Sequence, residues 1–366
     1  MERYLGLDVH ATSCTLAVMG PTGKRLSWEV VETNGEALVE AVKKIRGAVH
    51  LCMEEGTQSA WLYEILCPLV SELVVVGLSQ RTQGNKNDIE DAFGLAELHR
   101  TGNFTVRKRV YKELGKYKRL RSLVKSYGFM TEDLARSKNR LKAAYRAEGV
   151  PTTGGGLYSE GAKEDWTQKL DEAHHSAAGV LHDAHDALDG LKSEAAKALL
   201  EEAGRHAAFK LLQTIPGFGP IRAAQVISVV VTPARFRTKR QFWAYCGLAI
   251  VTHTSSDWVQ DGNKKWRRKP VQQTRGLNKN HNHVMKNVFK SAAMTVIGLD
   301  ASCPLRAHYE RLLAAGTKPN LACLSIARKL ASITLAVWKS KTPYRKPEPQ
   351  EDLGKEKSVD DKTLTK

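Results

Sequence analysis

An α/β domain followed by a largely helical remainder is the fold class predicted for this chain, and three observations predict it. Strand-like alternation of apolar and polar residues is confined to about the first 105 of the 366 residues, where it passes into alternating helical and strand-like stretches. Between residues 111 and 149 apolar side chains return at helical spacing amid Lys and Arg, and an Ala- and Leu-rich stretch follows. Beyond residue 206 the chain reads as mainly helical until a Pro-rich, charge-rich end.

The elements follow in order. RYLGLDV at 3–9 alternates as a strand; TLAVM at 15–19 and KRLSWEVV at 24–31 follow, the last two separated by the turn GPTG. These are three antiparallel strands. A helix over 36–45, a strand VHLCM at 49–53, a helix over 61–70, a strand LVVVG at 73–77 and a helix from about Asp88 come next. A meander followed by helix–strand alternation implies a mixed sheet with flanking helices over 1–105. Residues 106–205 are expected to form a long antiparallel, coiled-coil-like helix pair. Its first member runs from Tyr111 to Gly149 and carries the stripe Leu114, Tyr117, Leu120, Val124, Tyr127, Leu134, Leu141 and Tyr145, with Gly128 as a kink point. The breaker VPTTGGG separates it from a second helix over 161–205. The third region, 206–345, has helices at 283–297, 304–314 and 320–340; residues 346–366 read as a disordered tail.

Lys and Arg number 56 against 39 Asp and Glu, a formal net charge of +17, while 42% of residues are hydrophobic. A folded chain with that charge implies a polyanionic partner, nucleic acid before membrane. There is no run of about 18 apolar residues, and MERYLGLDVH has no signal-peptide core, so the expectation is no membrane association and a cytosolic or nucleoid location. Cys14, Cys52, Cys67, Cys246, Cys303 and Cys323 form no CxxC pair and no zinc spacing, and are expected to be free thiols in a reducing compartment.

Four carboxylates stand out. Asp8 interrupts an otherwise apolar strand, where an unpaired charge is costly to bury. Glu54 lies at the end of VHLCM, with Glu55 as its neighbour and rival; parallel pairing of the two strands would bring Asp8 and this Glu to one sheet edge. Asp88 and Asp91, three apart at a helix start, share a face. Read singly, Asp88 serves equally as a helix cap and Asp91 as a partner of the helix dipole. Read together, the four form a site for Mg2+ (or Mn2+), and paired hard cations on carboxylates are a recurrent device for displacement at phosphorus.

The order LGLDV, CMEEG, NKNDIEDAFGLAEL resembles the ribonuclease-H-like (RuvC-type) domain of the DEDD insertion-sequence transposases, the family that uses a bridge RNA to select target and donor DNA. The resemblance implies a ribonuclease-H-like fold for the first domain, with Asp8, Glu54, Asp88 and Asp91 as its metal ligands and catalytic carboxylates. Further on, IPGFGP followed by FWAYCGLAIVTHTSS is similar to the family's second domain. Counting eight residues from Gly247 reaches Ser255, which the resemblance makes the nucleophile joined to DNA; Ser256 is a rival in the Ser-Ser-Asp run. Without the resemblance that run is an ordinary turn. A serine adduct conserves phosphodiester energy for rejoining, whereas a nuclease needs no such residue.

Beyond it, Lys264, Lys265, Arg267, Arg268, Lys269 and Arg275 surround Trp266, a pattern suited to phosphates and to base stacking or core packing by the indole. Pro216-Gly217-Phe218-Gly219-Pro220 is either a phosphate-contacting hairpin or a plain helix connection. His182 and His185, with Asp183 and Asp186, are expected to be solvated rather than metal-binding, and His10 is assigned no role.

The expected function is that of a bridge-RNA-guided DNA transposase working as a homodimer or homotetramer on target and donor DNA, with the middle helices binding RNA or another subunit. A junction-resolving metal nuclease, with water as nucleophile and a structural Ser255, is the alternative. A sugar-kinase or actin-like ATPase shares the strand pattern, but the glycine-rich phosphate loops of that class are not apparent.

Overall fold

The computed structural model describes residues 1–78, 87–105, 107–159, 161–254, 258–262, 264–268, 273–300 and 302–346. They divide into two compact units, 1–118 and 119–366.

The first unit is built on the antiparallel meander β1 (Glu2–Val9), β2 (Ser13–Met19) and β3 (Arg25–Glu32). Helix α1 (Gly35–Lys43) leads into β4 (Ala48–Glu54), and α2 (Ser59–Leu66) into β5 (Glu72–Val76). Helix α3 (Asp88–Thr101) follows, and β6 (Arg109–Val110) closes the sheet in the order β3-β2-β1-β4-β5-β6. β4 runs parallel to both β1 and β5, while β6 is antiparallel to β5. The result is a mixed α/β unit with a six-stranded mixed sheet, in agreement with the meander-then-alternation pattern.

Side-chain alternation divides the strands between two layers. Leu5, Leu7, Leu51 and Met53 face α1 and α2, packing on Leu38, Val42, Leu62 and Leu66. Cys52, Val74 and Val76 face the other way and pack on Leu95 of α3, as do Ala17 and Met19 on Ala92, Phe93 and Ala96. Each fully buried Leu or Val of this kind contributes about 1.5–3 kcal/mol by leaving water. The alternation also places Tyr4, Gly6 and Asp8 of β1 on the α3 side.

In the second unit α4 (Lys118–Ala147) is antiparallel to α6 (Glu172–Gly204): Arg119 meets Glu202 at 3.4 Å, Tyr145 meets His182 at 2.9 Å and Glu148 meets His174 at 3.5 Å. The short helix α5 (Ala162–Thr167) packs Trp166 against Tyr145. Helices α7 (Ala208–Gln213), α8 (Pro220–Val230) and α9 (Lys239–Tyr245) come next. Two small antiparallel pairs follow: β7 (Ile250–Thr254) with β10 (Gln273–Leu277), and β8 (Trp258–Gln260) with β9 (Trp266–Arg268). Helices α10 (His283–Ile297), α11 (Pro304–Ala314) and α12 (Pro319–Ser340) complete the chain's described order. By length and composition α12 could cross a membrane. Its Ile326, Ala327, Leu330 and Ala331 are instead buried in the protein, and its Arg328 Nε donates to Leu248 O at 2.7 Å.

Two expectations are corrected. The basic helix begins at Lys118 and not at Tyr111, which leaves Leu114 and Tyr117 outside it: Gly115 holds a left-handed φ of +55°, and residues 109–110 extend the sheet. His182 and His185 are not solvated. Both are buried, His182 bonded to the Tyr145 hydroxyl and His185 stacked on Tyr158 with ring centroids 5.1 Å apart. The tail beyond 346 lies outside the described residues.

Candidate metal centre

Asp8 and Asp88 come together at one end of the sheet. Asp8 is the next-to-last residue of β1, and the parallel register Leu7↔Met53 sets it level with Glu54, the last residue of β4. Asp88 begins α3, and the cap of that helix is Asn87, whose side chain accepts from Ile89 N at 3.0 Å. The capping role open to Asp88 is therefore filled by its neighbour.

His10, which the strand pattern left without a role, joins the two. Its Nε2 lies 3.1 Å from Asp8 Oδ2 and 3.3 Å from Asp88 Oδ2. One donor atom from each of Asp8, His10 and Asp88 falls within 4.8 Å of the others. Asp8 is the most enclosed of the three, its side chain 13% exposed, and its buried Oδ2 has His10 Nε2 beside it but receives no well-formed hydrogen bond among the described residues.

Beside them opens a cavity of about 230 Å3, lined by Asp8, His10, Glu54, Glu55, Gly56 and Ser59 among others. Glu54 and Glu55 both reach it, and each has a cation. Arg107 Nη1 donates to Glu54 Oε1 at 2.6 Å, and Lys112 Nζ lies 2.7 Å from Glu55 Oε2. Asp91 sits in the first turn of α3, exposed, and is not among the residues lining the cavity. The structure thus groups Asp8, Asp88 and His10, brings Glu54 and Glu55 to the cavity that Asp8 and His10 line, and places neither Asp88 nor Asp91 in that lining.

Arg107 and Lys112 were missed by sequence reasoning because they fall in a basic run, VRKRVYK, that resembles a solvated helix start. Strand β6 between them folds that run back along β5. The donor chemistry fits a hard divalent cation: carboxylate oxygens suit Mg2+ and Mn2+, and the buried Asp8 Oδ2, which receives no well-formed hydrogen bond among the described residues, is an oxygen that such an ion would satisfy.

In the second unit Ser255, Ser256 and Asp257 lie outside the described residues, as does Lys269. Strand β7 ends at Thr254, immediately before them. Trp266 is 62% exposed, so it does not pack into the core, and Trp258 across the β8–β9 pair is 56% exposed. Pairing of Gln260 with Trp266 puts Trp258 and Trp266 diagonally on one face. Lys264 and Lys265 form the connecting turn, where Asp261 Oδ1 accepts from Lys265 N at 2.9 Å; Arg267 Nε meets Asp261 Oδ2 at 2.9 Å. Arg268 and Arg275 fall in β9 and β10, and their side chains are outside the described set. Gly217 (φ +77°) makes the turn into α8, with Gly219 as its N-cap and Pro220 in its first turn.

Comparison with known proteins adds three likenesses. Residues 5–146 match a DEDD-type family model described as "Transposase", and residues 209–310 match the model "Transposase IS116/IS110/IS902 family". The chain is 25% identical over 362 residues, 92% of its own length and 88% of the relative's, to "Putative transposase y4qE" of Sinorhizobium fredii.

Proposed function

We propose that this DNA transposase, a chain carrying insertion-sequence transposase domains of the IS116/IS110/IS902 kind, cuts and rejoins DNA with Asp8, Glu54, Asp88 and Asp91 holding Mg2+ (or Mn2+) and with Ser255 as nucleophile. One observation carries the reading: Asp8 and Asp88, distant in sequence, meet across one imidazole, and the buried Oδ2 of Asp8 has that imidazole beside it but receives no well-formed hydrogen bond among the described residues. Two carboxylates so placed repel each other unless cations offset them. The strand order, with a meander on one side of β1 and parallel β4 and β5 on the other, supports a ribonuclease-H-like reading of this unit.

When bound, the metal would polarise phosphoryl oxygens and lower the cost of deprotonating the attacking hydroxyl. The chain's own groups do the rest. Arg107 and Lys112 pair with Glu54 and Glu55 at the cavity, and His10 Nε2 lies between the two aspartates. The hydroxyl of Ser255 attacks phosphorus and its oxygen replaces the departing 3′ or 5′ oxygen, so bond energy is kept for rejoining. Trp266, Lys264, Lys265, Arg267, Arg268, Lys269 and Arg275 contact nucleic acid. A bridge RNA as guide, a homodimer or homotetramer as the working form and a cytosolic location complete the reading, the helix pair α4–α6 serving RNA or another subunit.

The test is strand exchange on end-containing DNA with Mg2+, quenched in denaturant. The reading expects a protein–DNA adduct that Ser255→Ala abolishes and Ser256→Ala does not. Cleavage by Ser255→Ala at the parent rate would support the water-driven nuclease instead.

A further inference from the structure

We propose that His50, Glu72 and His99, with Glu2 beside them, form a second metal site in the first unit, one that takes a zinc-like ion rather than magnesium. It lies at the end of the sheet away from Asp8. Alternation along β1 puts Glu2 and Tyr4 on the α3 side, and His50 of β4 pairs in register with both Tyr4 and Glu72 of β5. Helix α3 runs over that side from Asp88 to Thr101, so its eleventh step, about 16 Å along the axis at 1.5 Å per residue, delivers His99 to the far end.

The groups converge. One donor atom from each of His50, Glu72 and His99 lies within 4.8 Å of the others. His99 Nε2 is 3.0 Å from Glu72 Oε2, the two imidazoles stand edge to face with centroids 5.6 Å apart, and His50 Nε2 contacts the Glu2 carboxylate. Two His and a carboxylate are a recurrent zinc donor set, and a second carboxylate supplies a fourth position.

The surroundings orient these donors. Tyr4 stacks on His50 with centroids 5.1 Å apart and lies edge-on to His99 at 6.1 Å. Arg109 Nη1 takes the other oxygen of Glu72, Oε1, at 2.9 Å, and is itself held over the Phe104 ring at 4.1 Å. A cation on Oε1 fixes the group's orientation and turns Oε2 toward the imidazole of His99, as outer partners of metal ligands do. His99 is 6% exposed, and its Nδ1 is buried with no hydrogen-bond partner among the described residues, so the ring has a nitrogen unused. Imidazole donors favour Zn2+, Co2+ and Ni2+, while the carboxylate cluster at the other end favours Mg2+ and Mn2+. An ion here would fasten the carboxyl end of α3 to the starts of β1, β4 and β5, and so hold the helix that presents Asp88.

Full-length, metal-free protein in excess Mg2+ is titrated with Co2+ and followed by the visible absorption of four-coordinate cobalt. We expect a one-to-one signal that Zn2+ displaces, that His50→Gln and Glu72→Gln each weaken by at least about tenfold, and that Asp8→Asn leaves intact. A Zn2+-dependent rise in unfolding temperature should vanish in the same two variants. His99 is buried and its replacement can unfold the unit, so the test rests on the more exposed His50 and Glu72. No signal in the parent, a signal that survives both variants, or one lost in Asp8→Asn overturns the proposal.

Discussion

Gly6 of β1 and Ala92 of α3 approach so closely that no side chain fits between them: a methyl group on Gly6 would lie 1.8 Å from the Ala92 carbonyl oxygen and 2.7 Å from Ala96 N. Because this contact sets the height of α3 above the sheet, it also sets the distance from Asp88 to Asp8. Gly6→Ala should destabilise the protein by about 1–3 kcal/mol or more by overpacking, and should lower metal-dependent strand cleavage along with it. Gly94→Ala, in the same helix with nothing within 4 Å, is the control and should be neutral or stabilising by up to about 1 kcal/mol. Denaturant unfolding of the two variants decides; equal stability would mean that the approach does not govern the helix.

Removing either converging carboxylate should be severe. Asp8→Asn and Asp88→Asn keep side-chain volume and delete charge, and each should reduce Mg2+-dependent strand cleavage by about 100-fold or more, as for loss of a group that acts on the transition state. Glu54→Gln should behave alike and Glu55→Gln should cost far less, because Glu54 ends β4 level with Asp8 while Glu55 lies one residue beyond the strand. Cleavage rates measured at saturating Mg2+ check the order; the opposite ranking of the two glutamate variants would move the ligand to Glu55.

Arg107 sets a second test. Its guanidinium holds Glu54 Oε1 at 2.6 Å and so competes with a divalent ion for that carboxylate. Arg107→Gln should shift half-saturation by Mn2+ to lower concentration, since one positive charge near the site is gone. A shift to higher concentration would show that Arg107 positions Glu54 for the metal instead of rivalling it.

Trp266 stands 62% exposed, so Trp266→Ala should leave thermal unfolding unchanged. If the ring stacks on bases, nucleic-acid binding should weaken by about 1–3 kcal/mol. Lys265→Ala should reduce the slope of log affinity against log salt by about one. Binding titrations at several salt concentrations test both; unchanged affinity in Trp266→Ala would remove the indole from the interface.

Thiol chemistry reports on the two cores. Burial pushes the Cys52 thiol up to about 12 and raises Cys246 well above its ordinary range; both, with Cys14, have no exposed surface. At pH 8 these three should resist alkylation in the native protein and react once it is unfolded, because the thiolate is the reacting species. Mass spectrometry of labelled peptides gives the answer; rapid native labelling at Cys52 would mean that the sheet opens beneath α3.

Local sequence dictated the elements from β1 to α3 in their order, the helices at 283–297 and 304–314 to the residue, and the oddity of Asp8 within an apolar strand. Periodicity and caps are local properties, and they can be read locally. It took tertiary packing to establish that Asp88 meets Asp8 through His10, that Arg107 and Lys112 return along β6 to guard Glu54 and Glu55, and that His182 and His185 are buried against tyrosines. A histidine or arginine has the same local pattern whether it faces water or a carboxylate, and only strand order, parallel register and the seating of α3 on Gly6 bring together groups that lie tens of residues apart.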